Sequence, residues 1–243
     1  MVTRKDDDGF VRGDNRQILK TKPENIRRAI AILGVTLRFN ELARRTEIAG
    51  LPGFGPELTD AGAIRLRLWI EESRGFLPPE RLFEQVMTDI AGASRYHPVR
   101  EYLDGLEWDG RPRIDDWLAA YGGAENTAFT RAAGRIFLVA AVRRVRRPGA
   151  KFDTMLVLEG EQDMNKSLAL RALAARDEWF MDNLPLGADT KEVVEHTRGV
   201  WIAEFAELSG IDRRDVNHFE CFLSRQEDSA RPAYGHRTET IPR

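Results

Sequence analysis

The run from Thr154 to Leu173 constrains this chain most. Thr154-Met-Leu-Val-Leu-Glu159 is an apolar stretch suited to a strand. Gly160-Glu-Gln-Asp-Met-Asn-Lys166-Ser167 suits a tight loop, and Leu-Ala-Leu-Arg-Ala-Leu suits a helix opened by Lys-Ser. This is the order of a phosphate-binding P-loop, G-x-x-x-x-G-K-[ST], with Asn165 where the last glycine stands. In such a loop the backbone N–H groups and the free N–H groups of the helix start face an anion. Lys166 is then placed for the β/γ-phosphates, and the Ser167 hydroxyl for Mg²⁺. Asparagine tolerates the left-handed backbone region better than other non-glycine residues, so the substitution weakens the motif without cancelling it. Asp163 adds a carboxylate that would repel phosphate. An ordinary strand–turn–helix with an exposed lysine has the same local pattern, and the run alone leaves both readings open.

A second signal follows about 40 residues later. Gly199-Val-Trp-Ile-Ala203 is an apolar strand candidate that runs into Glu204, with Glu207 three positions on. A buried strand ending in an acid suits Mg²⁺ binding, and a second acid suits positioning of an attacking water. Glu204 is the candidate for Mg²⁺ and Glu207 for water activation, and the pair are the candidate catalytic residues. The two weak signals, in this order, support each other as a site for ATP with Mg²⁺ built from Gly160, Asn165, Lys166, Ser167 and Glu204.

Composition narrows the remaining classes. Apolar residues make up 42% of 243, enough for a folded core. No apolar run approaches the ~20 residues that span a bilayer, and the N-terminus lacks a signal-peptide core. The single cysteine, Cys221, allows no intramolecular disulfide, which fits a cytoplasmic protein. The four histidines share no metal-ligand spacing with it. Net charge is −2, so the overall balance does not mark a nucleic-acid binder. The local balance differs. Asn126 to Phe152 holds no acid and seven basic residues, four of them Arg143, Arg144, Arg146 and Arg147 at the end of a predicted helix that stops at Pro148-Gly149. Contact with a phosphate backbone is one reading, and helix-end charge complementarity the other.

Patterning along the chain predicts a polar tail over 1–22 and a short helix over 23–34. A strand follows at Val35–Phe39, a turn-rich loop at 50–56, and helices over 60–73 and 79–92 with Leu66, Trp69, Phe83 and Val86 inward. A further helix starts after His97, and Trp108 and Trp117 are expected to pack around the turn at Asp109-Gly110. Asp104, Asp109 and Asp115 lack calcium-loop spacing and suit caps and turns. A helix over 129–147 is expected to turn Phe129, Ala133, Ile136, Phe137, Ala140 and Val145 inward. Trp179-Phe180 suits a short strand, 189–198 a short helix and 211–227 another helix. The tail from Ser229 suits a hairpin with Tyr234-Gly235 near its tip. Arg231, Tyr234 and Arg237 there suit contact with single-stranded nucleic acid, and equally a solvated hairpin.

His97-Pro-Val-Arg100, Tyr102-Leu103, Trp108-Asp-Gly110, Arg113 and Trp117, then the loop at 160–167, then Gly199, Trp201, Glu204 and Glu207-Leu208, then Phe222-Leu-Ser-Arg-Gln226, Asp228, Arg231 and Tyr234-Gly235 form one ordered set. From about residue 35 to the end, the set resembles the virulence-associated E family, P-loop ATPase domains similar to superfamily 3 helicases and common in prophages and mobile islands. The resemblance implies an α/β fold: a P-loop NTPase-type parallel sheet core over 151–243, preceded by a mainly helical region over 23–150. It implies ATP and Mg²⁺ as ligands, single-stranded or forked DNA as polymer, a primase acting in trans, and a homo-oligomer. The family pattern continues past Arg243 into a sensor strand and an arginine acting on a neighbour's nucleotide. The core is therefore expected to be incomplete. This chain is expected to bind nucleotide, to be impaired in hydrolysis, and not to unwind DNA alone. The alternative is a non-catalytic DNA-binding or assembly module derived from such an ATPase.

Overall fold

The structure is a computed structural model that describes residues 4–5, 7–161, 163–184, 190–205, 223–230 and 239–242. It is a mixed α/β protein with eight α-helices and four small sheets among the described residues. The chain forms two compact units, residues 1–98 and 99–243, so the helices after Pro98 belong with the loop-bearing segment.

The first unit is built from β1 (Arg4–Lys5), β2 (Val11–Arg12), α1 (Pro23–Ile32), β3 (Thr36–Asn40), β4 (Arg45–Ala49), α2 (Asp60–Arg74), α3 (Glu80–Ala93) and β5 (Arg95–Tyr96). Proline opens α1, where the missing N–H costs nothing. Thr59 caps α2 by accepting from the Gly62 N–H, and Gly75 ends it in the left-handed conformation at φ 72°. The sheet runs β4-β3-β5, with β3 antiparallel to β4 and parallel to β5. Asn40 closes the β3–β4 turn, its side-chain oxygen accepting from Leu42 N at 3.0 Å and Ala43 N at 2.9 Å. Gly50 lies at φ +84°, and a Cβ there would sit 2.4 Å from the Gly34 carbonyl oxygen, so a side chain is excluded twice over. Leu66, Phe83 and Val86 are buried at the centre of the core, as their spacing predicts, and Trp69 is partly buried against it.

The N-terminal segment departs from the expected tail. Phe10 is 1% exposed and packs edge-on against Phe76 at 6.2 Å. Asn25, fully buried on α1, holds this segment in place. Its amide donates to the carbonyls of Val11 at 2.7 Å and Leu19 at 3.0 Å, and its oxygen accepts from Val11 N at 2.7 Å. Polar composition hid this arrangement because its anchor lies fourteen residues away. Asn25→Ala leaves the Val11 N–H without its acceptor and removes the amide that ties the Val11 and Leu19 carbonyls to α1. It is expected to lower stability by about 2–3 kcal/mol in denaturant titration, whereas a loss under about 0.5 kcal/mol would mean the segment is not anchored there.

The second unit contains α4 (Pro98–Asp104), α5 (Trp117–Gly122), α6 (Ala128–Arg146), α7 (Lys166–Leu173), β6 (Phe180–Met181), α8 (Thr190–His196), β7 (Ile202–Ala203), β8 (Glu227–Ala230) and β9 (Glu239–Pro242). Thr127 and Thr130 form a reciprocal capping box at the start of α6. This helix is seated on α5 through Gly134, where a Cβ would meet the Trp117 indole nitrogen at 2.6 Å. That close approach decides which face of α6 is buried. Gly134, Ala140 and Val145 are buried, while Phe129 is 79% and Ile136 53% exposed, which corrects their inward assignment. Trp117 is buried beside Phe137 of α6, whereas Trp108 is largely exposed and its indole donates across the Asp109-Gly110 turn to the Arg111 carbonyl at 3.3 Å. β8 and β9 pair antiparallel as the arms of the expected tail hairpin, while most of the helix expected over 211–227 lies outside the described residues. Among the described residues, no helix is long and apolar enough to cross a membrane.

Candidate nucleotide site

β6 and β7 pair in parallel, Phe180 with Ile202 and Met181 with Ala203. Three tertiary features hold this short ladder. The Trp201 N–H donates to the Trp179 carbonyl at 2.8 Å. The Trp179 ring stands edge-on to Tyr102 at 5.6 Å and to Trp201 at 6.4 Å. The Trp201 indole donates to the Ala141 carbonyl of α6 at 3.2 Å. The chain leaves β7 directly into Glu204. Its N–H donates to the Met181 carbonyl at 2.8 Å and its carbonyl accepts from Leu184 N at 3.1 Å, so both sides of its peptide backbone are fixed.

The loop preceding α7 has two residues in the left-handed region, Asp163 at φ 64° and Asn165 at φ 54°. These are the two residues that replace glycines usual in such loops. Aspartate and asparagine are the side chains that most readily take this conformation. Asn165 is also the N-cap of α7, and the first helical bond runs from Ala169 N to the Asn165 carbonyl at 3.0 Å. The N–H groups of Lys166, Ser167 and Leu168 therefore have no acceptor within the helix. No residue of α7 is buried, so this helix start stands at the surface.

Lys166 and Ser167 point in different directions. The Lys166 ammonium folds back over the loop and donates to the carbonyls of Gly160 at 3.0 Å and Glu161 at 2.7 Å. The Ser167 hydroxyl donates to Glu204 Oε1 at 2.8 Å across 37 residues of sequence. Glu204 Oε2 is buried and has no hydrogen-bond partner among the described residues. A buried unpaired carboxylate oxygen is costly unless something compensates it. The Ser167 hydroxyl and the Glu204 carboxylate, at the start of a helix whose first amides lack helical acceptors, are donor types that suit Mg²⁺ with a polyphosphate.

Other expected features resolve differently. Thr154–Glu159 has no ladder partner among the described residues, so the strand expected before the loop is not formed there, and among the described residues of the second unit the parallel pairing is that of β6 with β7. An apolar run becomes a strand only when a neighbour accepts its backbone bonds, which periodicity cannot specify. Glu207, Arg231, Tyr234 and Arg237 lie outside the described residues. Of the four clustered arginines, Arg144 donates to the carbonyls of Ala150 at 3.3 Å, Phe152 at 3.1 Å and Leu223 at 3.4 Å. Arg146 pairs with Asp104 at 2.5 Å. Arg143 and Arg147 are exposed, with no side-chain partner among the described residues. The three turn aspartates are each taken by an arginine: Asp104 as above, Asp109 by Arg113 at 2.6 Å and Asp115 by Arg135 at 2.6 Å. The Arg113 hydrogen bond holds the Asp109 carboxyl well below the usual carboxylate range.

A family model for the virulence-associated protein E-like domain matches residues 103–243, more than half of the chain. The chain belongs to the virulence-associated protein E-like family. The matched range begins within α4, and the resemblance read from about residue 35 is supported over this part of its length. The virulence-associated protein E-like segment thus contains the loop, α7, β6, β7 and Glu204, and the first 98 residues lie before it. No curated protein matches the chain.

Proposed function

We propose that the protein binds ATP with Mg²⁺ at the loop 160–167 and Glu204, as the nucleotide-binding part of a replication-associated, helicase-like P-loop ATPase of prophage or mobile-element type. The observation that carries this reading is the Ser167–Glu204 contact at 2.8 Å beside a buried, unbonded Glu204 oxygen. A lone exposed lysine on an ordinary strand–turn–helix has no reason to come with a strand-end carboxylate bonded to the next residue. Lys166 would leave its loop carbonyls to meet the β/γ-phosphates, and the open amides of α7 would receive their oxygens. Ser167 and Glu204 would hold Mg²⁺, which when bound supplies positive charge against the phosphates. Glu207 is the proposed water-positioning group. Single-stranded or forked DNA is the proposed polymer, reached through the tail hairpin, and a primase in trans and other copies of the chain are proposed partners in the cytoplasm.

Calorimetry of ATP binding with and without Mg²⁺ tests the site. Wild type is expected to bind more tightly with Mg²⁺. Glu204→Gln keeps the Ser167 bond but removes the charge, and is expected to lose about tenfold of the Mg²⁺-dependent gain with folding intact. Equal ATP affinity in the two buffers, together with an unchanged Glu204→Gln variant, would remove Glu204 from a metal role.

A further inference from the structure

The outward face of α6 is apolar and uncovered. Ile136, Val139 and Val142 are 53%, 50% and 38% exposed on a helix whose opposite side is seated on α5. Val139 and Val142 line an open groove of about 470 Å³ together with Ile114, Leu138 and the arginines Arg143, Arg146 and Arg147. Arg146 already demonstrates what these arginines recognise, since it holds the Asp104 carboxylate at 2.5 Å. Arg143 and Arg147 offer the same guanidinium chemistry with no partner among the described residues, and no acidic residue occurs from Asn126 to Phe152.

We infer that this groove docks an acidic amphipathic helix of a protein partner, with apolar side chains at i, i+3 and i+4 in the groove and carboxylates on Arg143 and Arg147. Helix-in-groove recognition needs an aliphatic trough, and an arginine fork prefers a planar carboxylate bound bidentately. A nucleic-acid strand fits less well. Its phosphates need donors along their path, and its bases need aromatic platforms. The apolar lining here is Leu138, Val139, Val142 and Ile114, with no aromatic residue among it, and two of the four clustered arginines are held by intramolecular contacts. Charge complementarity therefore selects an acidic partner, and the aliphatic lining selects a protein.

The test uses the full chain against a display library of randomised helical peptides, with single-stranded DNA as a parallel ligand. Enriched peptides are expected to carry apolar residues at i and i+3 or i+4, flanked by Asp or Glu. Val139→Asp is expected to weaken them about tenfold or more, because it places a charge at the centre of the contact. Arg143→Glu with Arg147→Glu is expected to abolish the acidic preference while aliphatic peptides still bind. Both variants alter exposed positions, and circular dichroism is expected to show the same helix content and melting temperature as wild type. Enrichment without acidic or apolar pattern, or binding indifferent to Val139→Asp, would overturn the inference. Loss of DNA affinity in both variants, with no selected peptide, would reassign the groove to nucleic acid.

Discussion

Lys166→Ala is expected to abolish measurable ATP binding while leaving the fold intact. The side chain is half-exposed and makes two bonds to loop carbonyls, Gly160 and Glu161, both of which can turn to water when it is removed. Its loss should therefore cost little stability, within about 0.5 kcal/mol, as for most surface changes. In the bound state the same ammonium would face the β/γ-phosphates, where a charge-assisted contact is worth about 1.5–3 kcal/mol and a missing one leaves phosphate charge unopposed. Calorimetry at millimolar nucleotide should detect binding to wild type and none to the variant, with matching thermal melts. Equal affinity for the two proteins would take Lys166 out of the site and return the loop to an ordinary turn before a helix.

Trp179→Ala is expected to have the largest effect on stability in the second unit, and to remove nucleotide binding indirectly. The ring is 3% exposed, lies edge-on to both Tyr102 and Trp201, and carries the Arg176 guanidinium at 4.7 Å over its face. Truncating a buried tryptophan costs about 3–5 kcal/mol through lost burial and the cavity left behind. Its backbone also accepts from Trp201 N, so a cavity here loosens the ladder that places Glu204. Denaturant unfolding should show the loss, and ATP binding should weaken even below the transition, because Glu204 would no longer be held against Ser167. A variant that loses stability but keeps full ATP affinity would separate the aromatic cluster from the site. Trp179→Phe, which keeps a ring, is expected to recover part of both losses.

Much of the site was legible because its signals are local. The left-handed backbone at Asn165 follows from the loop needing positive φ just before a helix and from asparagine tolerating it. The helix start at Lys166 follows from the apolar spacing of Leu168, Leu170 and Leu173 after a polar turn. Glu204 at the end of a strand follows from an apolar run that stops at an acid. Spacing also located α1, α2 and α3, since an amphipathic stripe and its caps are written within about fifteen residues. The bond between Ser167 and Glu204 was implied only as a shared role, not as a contact.

What the amino-acid sequence determined on its own was the turn from Gly160 to Asn165 and the helix that starts at Lys166, the helices with strong stripes, and the acid that follows β7. Tertiary structure alone decided that Phe10 belongs to a core, because its anchor Asn25 is distant along the chain. It alone decided which face of α6 is buried, because apolar residues run around much of that helix and the fit of Gly134 against Trp117 breaks the tie. It divided the arginine cluster into Arg144 on backbone carbonyls, Arg146 on an aspartate, and two exposed groups at a groove. It also gave Thr154–Glu159 no ladder partner among the described residues, although the run is as apolar as a strand needs. The common reason is that burial, ion pairing and strand pairing are properties of two partners. One segment carries its own conformational preference, but a second segment, chosen by the whole packing, decides whether that preference is used.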